Sequence, residues 1–290
     1  MKVVLFCGGL GMRMRDGVTS APKPMVTVGE RPLLWHVMRY YAHFGHTDFV
    51  LCLGYGASVI KDFFLNYEET RSNDFVLEAG QRKVGLTKTD ISDWRIAFVD
   101  TGLHSPIGER LRRVRSYVED EPVFMANYAD AVTDAPLPDM VRYFEASDAV
   151  VSLMAVPLPS SHHAVNVDDQ GILTSLQPMC ELPFWENGGY FLFRPEIFAE
   201  LHEGEDLVGD VLPRLVPHRR VLAYRYNGFW STADTLKERA LLEEMYQREN
   251  CPWMLWDPAR SATTSPGRDP SRASPGDDAD TRFPSASAVS

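Results

Sequence analysis

A run of glycines directly follows a short apolar segment at the start of the chain. Val3–Cys7 reads as a buried strand, and the glycines come just after it: Gly8, Gly9 and Gly11. Glycine has no Cβ, so its backbone can approach an anion closely, and N–H groups at the start of a following helix point towards that anion. Arg13 and Lys23 add positive charge. The pattern predicts a loop that wraps a nucleoside triphosphate, with Arg13 and Lys23 as catalytic cations and the glycines as substrate-binding positions.

The loop does not match the two commonest phosphate-binding signatures. Met14 stands where the dinucleotide-binding pattern G-x-G-x-x-G needs its third glycine, and the G-K-[ST] ending of a P-loop is absent. A tight turn between a strand and a helix is the alternative for a bare Gly-Gly-x-Gly. However, Arg13 follows Gly11 by two residues, and Pro22-Lys23-Pro24 comes shortly afterwards. This combined spacing resembles the signature of the sugar-phosphate nucleotidylyltransferases.

Two aspartates are candidate ligands for a metal ion. In nucleotidyl transfer an oxygen of a sugar phosphate attacks the α-phosphorus of a triphosphate, so catalysis is mainly positioning and charge neutralisation by Mg²⁺ and by Arg or Lys. Asp130 follows the apolar run Val123–Ala126, and ligands bind at the carboxyl ends of strands in open α/β sheets. Asp234 comes just before the predicted helix Leu236–Gln247. Each aspartate alone is also explained as a helix cap or a turn residue.

The segments that must position these residues alternate between apolar runs and helical patterns. Val3–Cys7 and Asp48–Leu53 read as strands, and Leu33–Phe44 and Ala57–Tyr67 read as helices. Strands that alternate with helices of about 10–15 residues indicate a mostly parallel α/β sheet. Further strands are expected at Phe75–Glu78, Arg95–Val99, Val123–Ala126, Ala149–Val156, Tyr190–Phe193 and Val221–Tyr226.

Arginines crowd the segment that begins at Arg110. Leu111, Val114 and Val118 fall on one face of a predicted helix. We therefore expect the arginines to point mostly outward and to form a solvated basic face.

The composition excludes several classes of function. The chain of 290 residues has a net charge of −11 and a pI near 5.2, which argues against a nucleic-acid or anionic-membrane partner. Its four cysteines include no C-x-x-C pair, so neither a zinc site nor a disulfide framework is predicted. The sequence has no signal-peptide pattern and no apolar stretch of about 18 residues. We expect a cytoplasmic protein.

The C-terminal part of the chain differs from the rest. Residues 258–290 are rich in Pro, Ser and Ala and hold a single aromatic residue, Phe283. Such a segment cannot bury enough apolar surface to offset its ordering entropy. We expect one domain over residues 1–257 and a disordered tail over residues 258–290.

Beyond the loop, the chain resembles the nucleotide-diphospho-sugar transferase family, and within it the branch that uses CTP and glucose 1-phosphate. The matching segments are Gly8–Arg13, Pro22–Met25, Pro32–His36, Gly54-Tyr55, Val99–Gly102, Asn187–Tyr190 and Gly228–Leu236. The resemblance implies a Rossmann-like three-layer α/β/α fold with a mixed, mostly parallel sheet, and a homo-oligomer. It also implies a Mg²⁺-dependent nucleotidyltransferase that makes CDP-glucose and pyrophosphate.

The resemblance assigns roles to single residues. The glycine loop and Arg13 would hold the triphosphate, and Lys23 would contact the region of the α-phosphate. Asp130 and Asp234 would hold Mg²⁺. Further substrate contacts would come from Asn187 and Gly188 at the sugar and from Gly108 near the base.

Two departures from the family pattern concern the phosphates. Ala129-Asp130-Ala131 replaces Gly-Asp-Gly, and the added methyl groups crowd a site that needs close backbone approach. Leu176-Gln177-Pro178 replaces Glu-Lys-Pro, so the lysine that would neutralise the sugar phosphate is missing. Losing such a contact lowers affinity or rate by about ten- to a hundredfold. The candidate replacements are Arg82, Lys83 and Lys88.

These departures leave other functions open. One is a nucleotidylyltransferase for a different sugar or cyclitol 1-phosphate. Another is a nucleotide- or sugar-binding regulatory homologue without activity, although the presence of Arg13, Lys23, Asp130 and Asp234 argues against it. A dehydrogenase that binds NAD is disfavoured because the loop spacing is wrong and no acidic residue suited to a ribose follows Leu53.

Overall fold

The computed structural model describes residues 1–9, 22–80, 83–158 and 162–261. In chain order its strands are β1 (Val3–Phe6), β2 (Thr27–Val28), β3 (Arg31–Pro32), β4 (Asp48–Leu53), β5 (Phe75–Glu78), β6 (Lys83–Leu86), β7 (Arg95–Asp100), β8 (Phe124–Asn127), β9 (Ala131–Thr133), β10 (Val151–Pro157), β11 (His163–Val167), β12 (Leu173–Pro178), β13 (Trp185–Phe193), β14 (Val221–Arg225) and β15 (Trp230–Thr232).

Helices of different lengths connect these strands. The α-helices are α1 (Leu33–His43), α2 (Ala57–Leu65), α3 (Ile107–Arg113), α4 (Arg115–Val118), α5 (Leu137–Glu145), α6 (Leu212–Leu215), α7 (Leu236–Gln247) and α8 (Pro258–Ser261). Single turns of 3₁₀ or π-helix lie at Lys23–Met25, Glu69–Arg71, Met179–Glu181, Pro195–Ala199, Leu207–Val211 and Val216–His218. In the described ranges no helix has both the length and the apolar character needed to cross a lipid bilayer.

A seven-stranded sheet in the order β14-β10-β13-β8-β1-β4-β7 forms the centre of the described structure. Four neighbouring pairs are parallel: β1 with β4, β1 with β8, β4 with β7, and β10 with β14. Strand β13 runs antiparallel to both β8 and β10. The predicted mixed, mostly parallel sheet is confirmed.

Both faces of the sheet are covered, and β1 shows why its sequence is apolar throughout. Val3 and Leu5 pack on the side of α1, α2, α5 and α7, whereas Val4 and Phe6 pack on the side of α3, α4 and α6. Successive side chains of a strand point to opposite faces, so a strand between two helix layers has no polar positions. The three-layer α/β/α arrangement is confirmed.

Some elements differ from their predicted form. Phe75–Glu78 is a strand, but it pairs with β6 in a separate hairpin and is not part of the central sheet. The predicted strand Tyr190–Phe193 begins earlier, at Trp185, because it continues past Gly188 to pair with β10 after a break in register.

The chain remains ordered just beyond the boundary predicted at residue 257. Pro258–Ser261 form the turn α8, and Arg260 lies 4.6 Å from the ring centre of Tyr246 while its carbonyl accepts from the N–H of Cys251. The rest of the predicted tail, residues 262–290, lies outside the described residues, so its disorder stays a prediction.

Candidate active site

The carboxyl end of β1 leads into Gly8, and a buried arginine holds this turn in place. Arg110 on α3 donates from Nη2 to the carbonyl of Gly8 at 3.1 Å and from Nη1 to the carbonyl of Leu53 at 3.1 Å. Nη1 also donates to Oγ1 of Thr101 at 2.8 Å. A Cβ on Gly8 would lie 2.1 Å from Nη1, so a larger residue there would displace this guanidinium from its acceptors. Arg110 therefore ties together the carboxyl ends of β1 and β4.

Our expectation of an outward-pointing basic face was wrong for Arg110, which is only 3% exposed. Burial lowers its pKa from the ordinary value, and the three oxygen acceptors described above compensate for the lost hydration. A signal for this was present, because Arg110, Val114 and Val118 are spaced by four residues and share one helical stripe. Arg112 and Arg113 are more exposed and pair with Glu109 on the same helix.

The other loop predictions fall partly outside the described residues. Gly9 is exposed, and a Cβ there would meet no atom of the described residues within 4 Å. Gly11 and Arg13 lie outside the described residues, and their roles stay predictions.

The two aspartates are brought together by a short antiparallel ladder. Asp130 immediately precedes β9 and Asp234 follows shortly after β15, and these strands pair with Ala131 opposite Thr232. The N–H of Ala233 also donates to the carbonyl of Asp130 at 3.3 Å. Because antiparallel partners place the start of one strand beside the end of the other, the two carboxylates lie at one point.

Asp234 does not cap helix α7, which was the alternative explanation for an aspartate at this position. Thr235 caps α7, since its side chain accepts from the N–H of Glu238 while the Glu238 carboxylate accepts from the N–H of Thr235. The N–H of Asp234 also donates to that carboxylate, at 2.8 Å. The capping box therefore fixes the Asp234 backbone and leaves its side chain available.

Lys23 reaches this pair of carboxylates from the 3₁₀ turn that begins after Pro22. Its Nζ lies 2.7 Å from Oδ2 of Asp130 and also contacts Oδ1 of Asp234. Burial alone would lower the pKa of Lys23, but the two carboxylates raise it above the ordinary value. Burial raises the pKa of Asp130, and Asp234 adds to this, whereas Lys23 opposes it. The ammonium at the centre is thus protonated at neutral pH.

The backbone before Asp130 takes a conformation that suits glycine better than alanine. Ala129 has a φ of 61° and is fully buried, and its N–H donates to Oδ1 of Asn127 at 2.6 Å. A left-handed conformation costs an alanine about 1–2 kcal/mol. The methyl group is accommodated in the core, so the Asn127 turn still presents Asp130 at the sheet edge.

Asn187 and Gly188 lie at the start of β13, beside the Asp130 loop. Asn187 Nδ2 donates to the hydroxyl of Tyr128 at 3.2 Å, and Tyr128 N donates to the carbonyl of Gly189 at 3.2 Å. The carbonyl of Gly188 accepts from Nε1 of Trp230 at 2.9 Å. The predicted sugar-binding segment is therefore joined to both aspartate-bearing loops. Tyr128 and Trp230 were missed because the sequence gives no periodic signal in these turns.

Gly108 lies in the first turn of α3 and packs tightly against another loop. A Cβ there would lie 2.5 Å from the carbonyl oxygen of Glu205 and 3.1 Å from the nitrogen of Leu207. This close backbone approach is sufficient to require glycine. A role near the nucleotide base stays a prediction.

The donor set at the carboxylate pair suits Mg²⁺. Oxygens of Asp130 and Asp234 converge on a single cationic atom, Lys23 Nζ, and oxygen ligands are those that Mg²⁺ prefers. In the described part of the chain no group of three or more His, Cys, Asp or Glu side chains could hold a metal ion. A pair is nevertheless enough for Mg²⁺, which commonly takes one or two carboxylates and completes its shell with water and substrate phosphates.

A glycine turn, paired carboxylates and a lysine at the carboxyl edge of an α/β sheet define a class of enzymes that act on nucleotide phosphates. The family model described as nucleotidyl transferase matches residues 2–250. The chain therefore belongs to this family and is a nucleotidyltransferase.

Individual relatives agree with this assignment. The chain is 31% identical to the glucose-1-phosphate cytidylyltransferase of Salmonella typhi over 262 residues, covering 89% of this chain and 100% of the relative. It is 29% identical to a probable glucose-1-phosphate cytidylyltransferase of Bacillus subtilis (strain 168), covering 88% and 100%. The UDP-glucose pyrophosphorylase structure from Acinetobacter baumannii shares the fold with a TM-score of 0.62 at 20% identity, covering 87% of this chain and 95% of that chain.

Proposed function

We propose that this chain transfers a cytidylyl group from CTP to glucose 1-phosphate in the presence of Mg²⁺, giving CDP-glucose and pyrophosphate. The observation that carries the proposal is the convergence of Asp130, Asp234 and Lys23 at the sheet edge beside the Gly8 turn. The choice of CTP and glucose 1-phosphate is supported by the names of the two cytidylyltransferase relatives, which the chain matches over their full length.

The reaction needs no protein nucleophile. An oxygen of the sugar phosphate forms a bond to the α-phosphorus, and the bond between the α-phosphorus and the bridging oxygen to the β-phosphate breaks. The electron pair of that bond leaves with pyrophosphate. Both reactants are polyanions, so the protein's task is to align them and to offset their charge.

The residues divide this task between them. The Gly8 turn, with Gly9 and Gly11, lets the backbone approach the triphosphate, and Arg13 adds charge there. Lys23 moves from the carboxylates to the α-phosphate, where negative charge builds up. Asp130 and Asp234 would hold Mg²⁺, which would supply charge neutralisation at the phosphates.

The remaining contacts orient the sugar and the base. Asn187 and Gly188 face the sugar, and their tie to Tyr128 keeps this segment at a fixed distance from Asp130. Gly108 is proposed to lie near the base. A different sugar or cyclitol 1-phosphate is the second candidate substrate, because Gln177 stands where the resemblance expects a lysine.

We also propose that the chain assembles with further copies of itself. Two hairpins outside the central sheet each expose an apolar face. On β5–β6 this face holds Phe75 opposite Leu86, and on β11–β12 it holds Val165 opposite Leu176. Exposed apolar faces of this kind are typical of interaction surfaces.

A pyrophosphate-release screen tests the proposed function. The four ribonucleoside triphosphates and dTTP are combined with a panel of sugar and cyclitol 1-phosphates and Mg²⁺. We expect CTP with glucose 1-phosphate to give the highest kcat/KM. A preference for another sugar or cyclitol phosphate would support the second candidate substrate. Nucleotide binding without release from any pair would support a regulatory homologue.

A further inference from the structure

The sugar side of the proposed site needs a cation that the residues described so far do not supply. Under the proposed function, on which this inference rests, a sugar phosphate dianion approaches a triphosphate beside two carboxylates. Lys23 is assigned to the α-phosphate of the triphosphate, and Arg110 is engaged with backbone carbonyls. Phosphate groups are most strongly bound by charge-assisted hydrogen bonds. A further positive group near Asn187 is therefore expected.

Two cations that the sequence offered for this task lie elsewhere in the fold. Lys83 pairs with Glu78 in the β5–β6 hairpin, and Lys88 follows that hairpin shortly afterwards. This hairpin is separate from the central sheet. Arg82 falls outside the described residues.

Arg225 stands at the level of Asn187 in the central sheet. Arg225 ends β14 and pairs with Ala155 of β10. Ala155 pairs on its other side with Asn187 of β13. Arg225 and Asn187 are thus in one row across three strands, two strand spacings or about 10 Å apart. Ala155, whose side chain is a methyl group, is the residue between them in this row.

The side chains of Arg225 and Asn187 also project from the same face of the sheet. In β14, Tyr224 packs on the core cluster next to α1, whereas Val221 packs on the opposite cluster next to α3. Alternation along the strand places Arg225 on the side of Val221. Asn187 donates to Tyr128, whose ring packs against that same cluster. The amide of Asn187 and the guanidinium of Arg225 therefore lie on the same face of the sheet.

Arg225 lies at the sheet edge that carries the chemistry. Strand β10 is antiparallel to β13, and β13 is antiparallel to β8, so β14 ends at the same edge as β8. Asp130 follows β8 at that edge. Ligands of open α/β sheets bind at the carboxyl ends of their strands.

The Arg225 guanidinium is oriented but not neutralised. Its central carbon lies 5.8 Å from the ring centre of Trp185, a cation–π distance, and Trp185 precedes Asn187 by two residues on the same strand. Arg225 takes part in none of the ion pairs found among the described residues. Its planar fork is therefore available for bidentate contact with a phosphate.

We propose that Arg225 binds the phosphate of the sugar 1-phosphate and so supplies the charge that Gln177 does not. Asn187 holds the sugar, and Arg225 holds its phosphate from the same row of the sheet. This makes Arg225 a determinant of which sugar phosphates the enzyme accepts.

Binding of glucose 1-phosphate to Arg225→Gln tests this assignment without turnover. Full-length protein is saturated with Mg²⁺ and the α,β-methylene analogue of CTP, and glucose 1-phosphate is titrated in by calorimetry. Arg225→Lys keeps the charge without the fork, and Arg219→Gln removes an exposed arginine just before the opposite end of β14.

We expect Arg225→Gln to weaken glucose 1-phosphate binding by about ten- to a hundredfold, Arg225→Lys to weaken it less, and Arg219→Gln to leave it unchanged. Affinity for the CTP analogue should not change. A loss below about threefold for Arg225→Gln, or an equal loss for the CTP analogue, would overturn the inference. If Arg225→Gln leaves turnover unchanged, the inference is overturned and the proposed function stands. If glucose 1-phosphate binding depends on Arg225 but the wild-type protein shows no turnover, the proposed function is overturned and the inference stands.

Discussion

Nζ of Lys23 lies 2.7 Å from Oδ2 of Asp130 and contacts Asp234 as well. The ammonium thus stands at the point where the two carboxylates converge, which is also where Mg²⁺ is proposed to bind. One position cannot hold both cations, so Lys23 would be displaced if the two carboxylates held Mg²⁺. Its ammonium would then be free to contact the triphosphate.

Lys23→Met should therefore strengthen metal binding in the absence of nucleotide. Methionine keeps much of the length and removes the competing charge. We expect affinity for Mn²⁺, used as a spectroscopic substitute for Mg²⁺, to rise by about tenfold or more, as measured by electron paramagnetic resonance. Lys2→Met, which alters a lysine paired with Glu121, serves as the control. Equal Mn²⁺ affinity in wild type and Lys23→Met would show that the ammonium does not compete with the metal ion.

Asp130→Asn and Asp234→Asn should each reduce kcat by about a hundredfold or more, because an amide is a weaker Mg²⁺ ligand than a carboxylate and leaves charge unneutralised in the transition state. Steady-state rates at saturating Mg²⁺ provide the measurement, and circular dichroism checks the fold. Asp139→Asn on the exposed side of α5 is the matched control. Near-normal kcat in either active-site variant would remove that residue from the metal site.

Arg110→Met should destabilise the fold more than any outward arginine of the same segment. It leaves the carbonyl of Gly8 without its side-chain donor, whereas the carbonyl of Leu53 still accepts from the N–H and the hydroxyl of Thr101. An unsatisfied buried group costs about 1–3 kcal/mol, so the free energy of unfolding from urea titration should fall by about that amount. Arg112→Met, which breaks a partly exposed pair with Glu109, should cost about 1 kcal/mol or less. Equal losses in the two variants would contradict the anchoring role of Arg110.

His36 should make the stability of the protein depend on pH. Its Nε2 contacts the carbonyl of Val28, and its Nδ1 accepts from Nε1 of Trp253. Protonation of Nδ1 would place its N–H against the N–H of Trp253, which is unfavourable. Burial lowers the pKa of His36 from 6.5 to about 4. The unfolded chain binds the proton more readily than the folded protein does. The stability that neutral His36 contributes is therefore complete above pH 6.5 and is lost as the pH falls towards 4.

Protonation linked to His36 therefore lowers the free energy of unfolding by about 3 kcal/mol between pH 6.5 and pH 4. Burial also lowers the pKa of His46 to about 4, so this residue adds to the slope. Urea titrations at several pH values should show a shallower slope for His36→Gln than for wild type, with His46→Gln measured in parallel. An unchanged slope in His36→Gln would contradict the assignment.

The sequence was sufficient where a local pattern determines the element. The bounds of β4 and α7 were predicted correctly, since Phe49–Leu53 is a continuous apolar run and the capping box of Thr235 and Glu238 fixes the start of α7 locally. Residues Trp185–Gly189 of β13 were not predicted as strand. They include two glycines and polar residues, and only their pairing with β10 makes them extended.

The meeting of Asp130 with Asp234 depends on contacts distant in sequence. The two residues are more than a hundred positions apart, and the ladder that joins them consists of three-residue strands with no periodic signal. Each aspartate was a candidate metal ligand from its own surroundings in the sequence, but their joint role at one Mg²⁺ was implied by the resemblance. The buried position of Arg110 was missed for a related reason, because its acceptors belong to β4 and to the turns after β1 and β7.

In the proposed reaction an oxygen of the sugar phosphate attacks the α-phosphorus of CTP. Glucose 1-phosphate labelled with ¹⁸O in its phosphate is incubated with CTP, Mg²⁺ and the full-length protein, and the products are analysed by mass spectrometry. We expect CDP-glucose that retains all of the label and pyrophosphate that contains none. Label in pyrophosphate or inorganic phosphate, or no CDP-glucose at all, would contradict it.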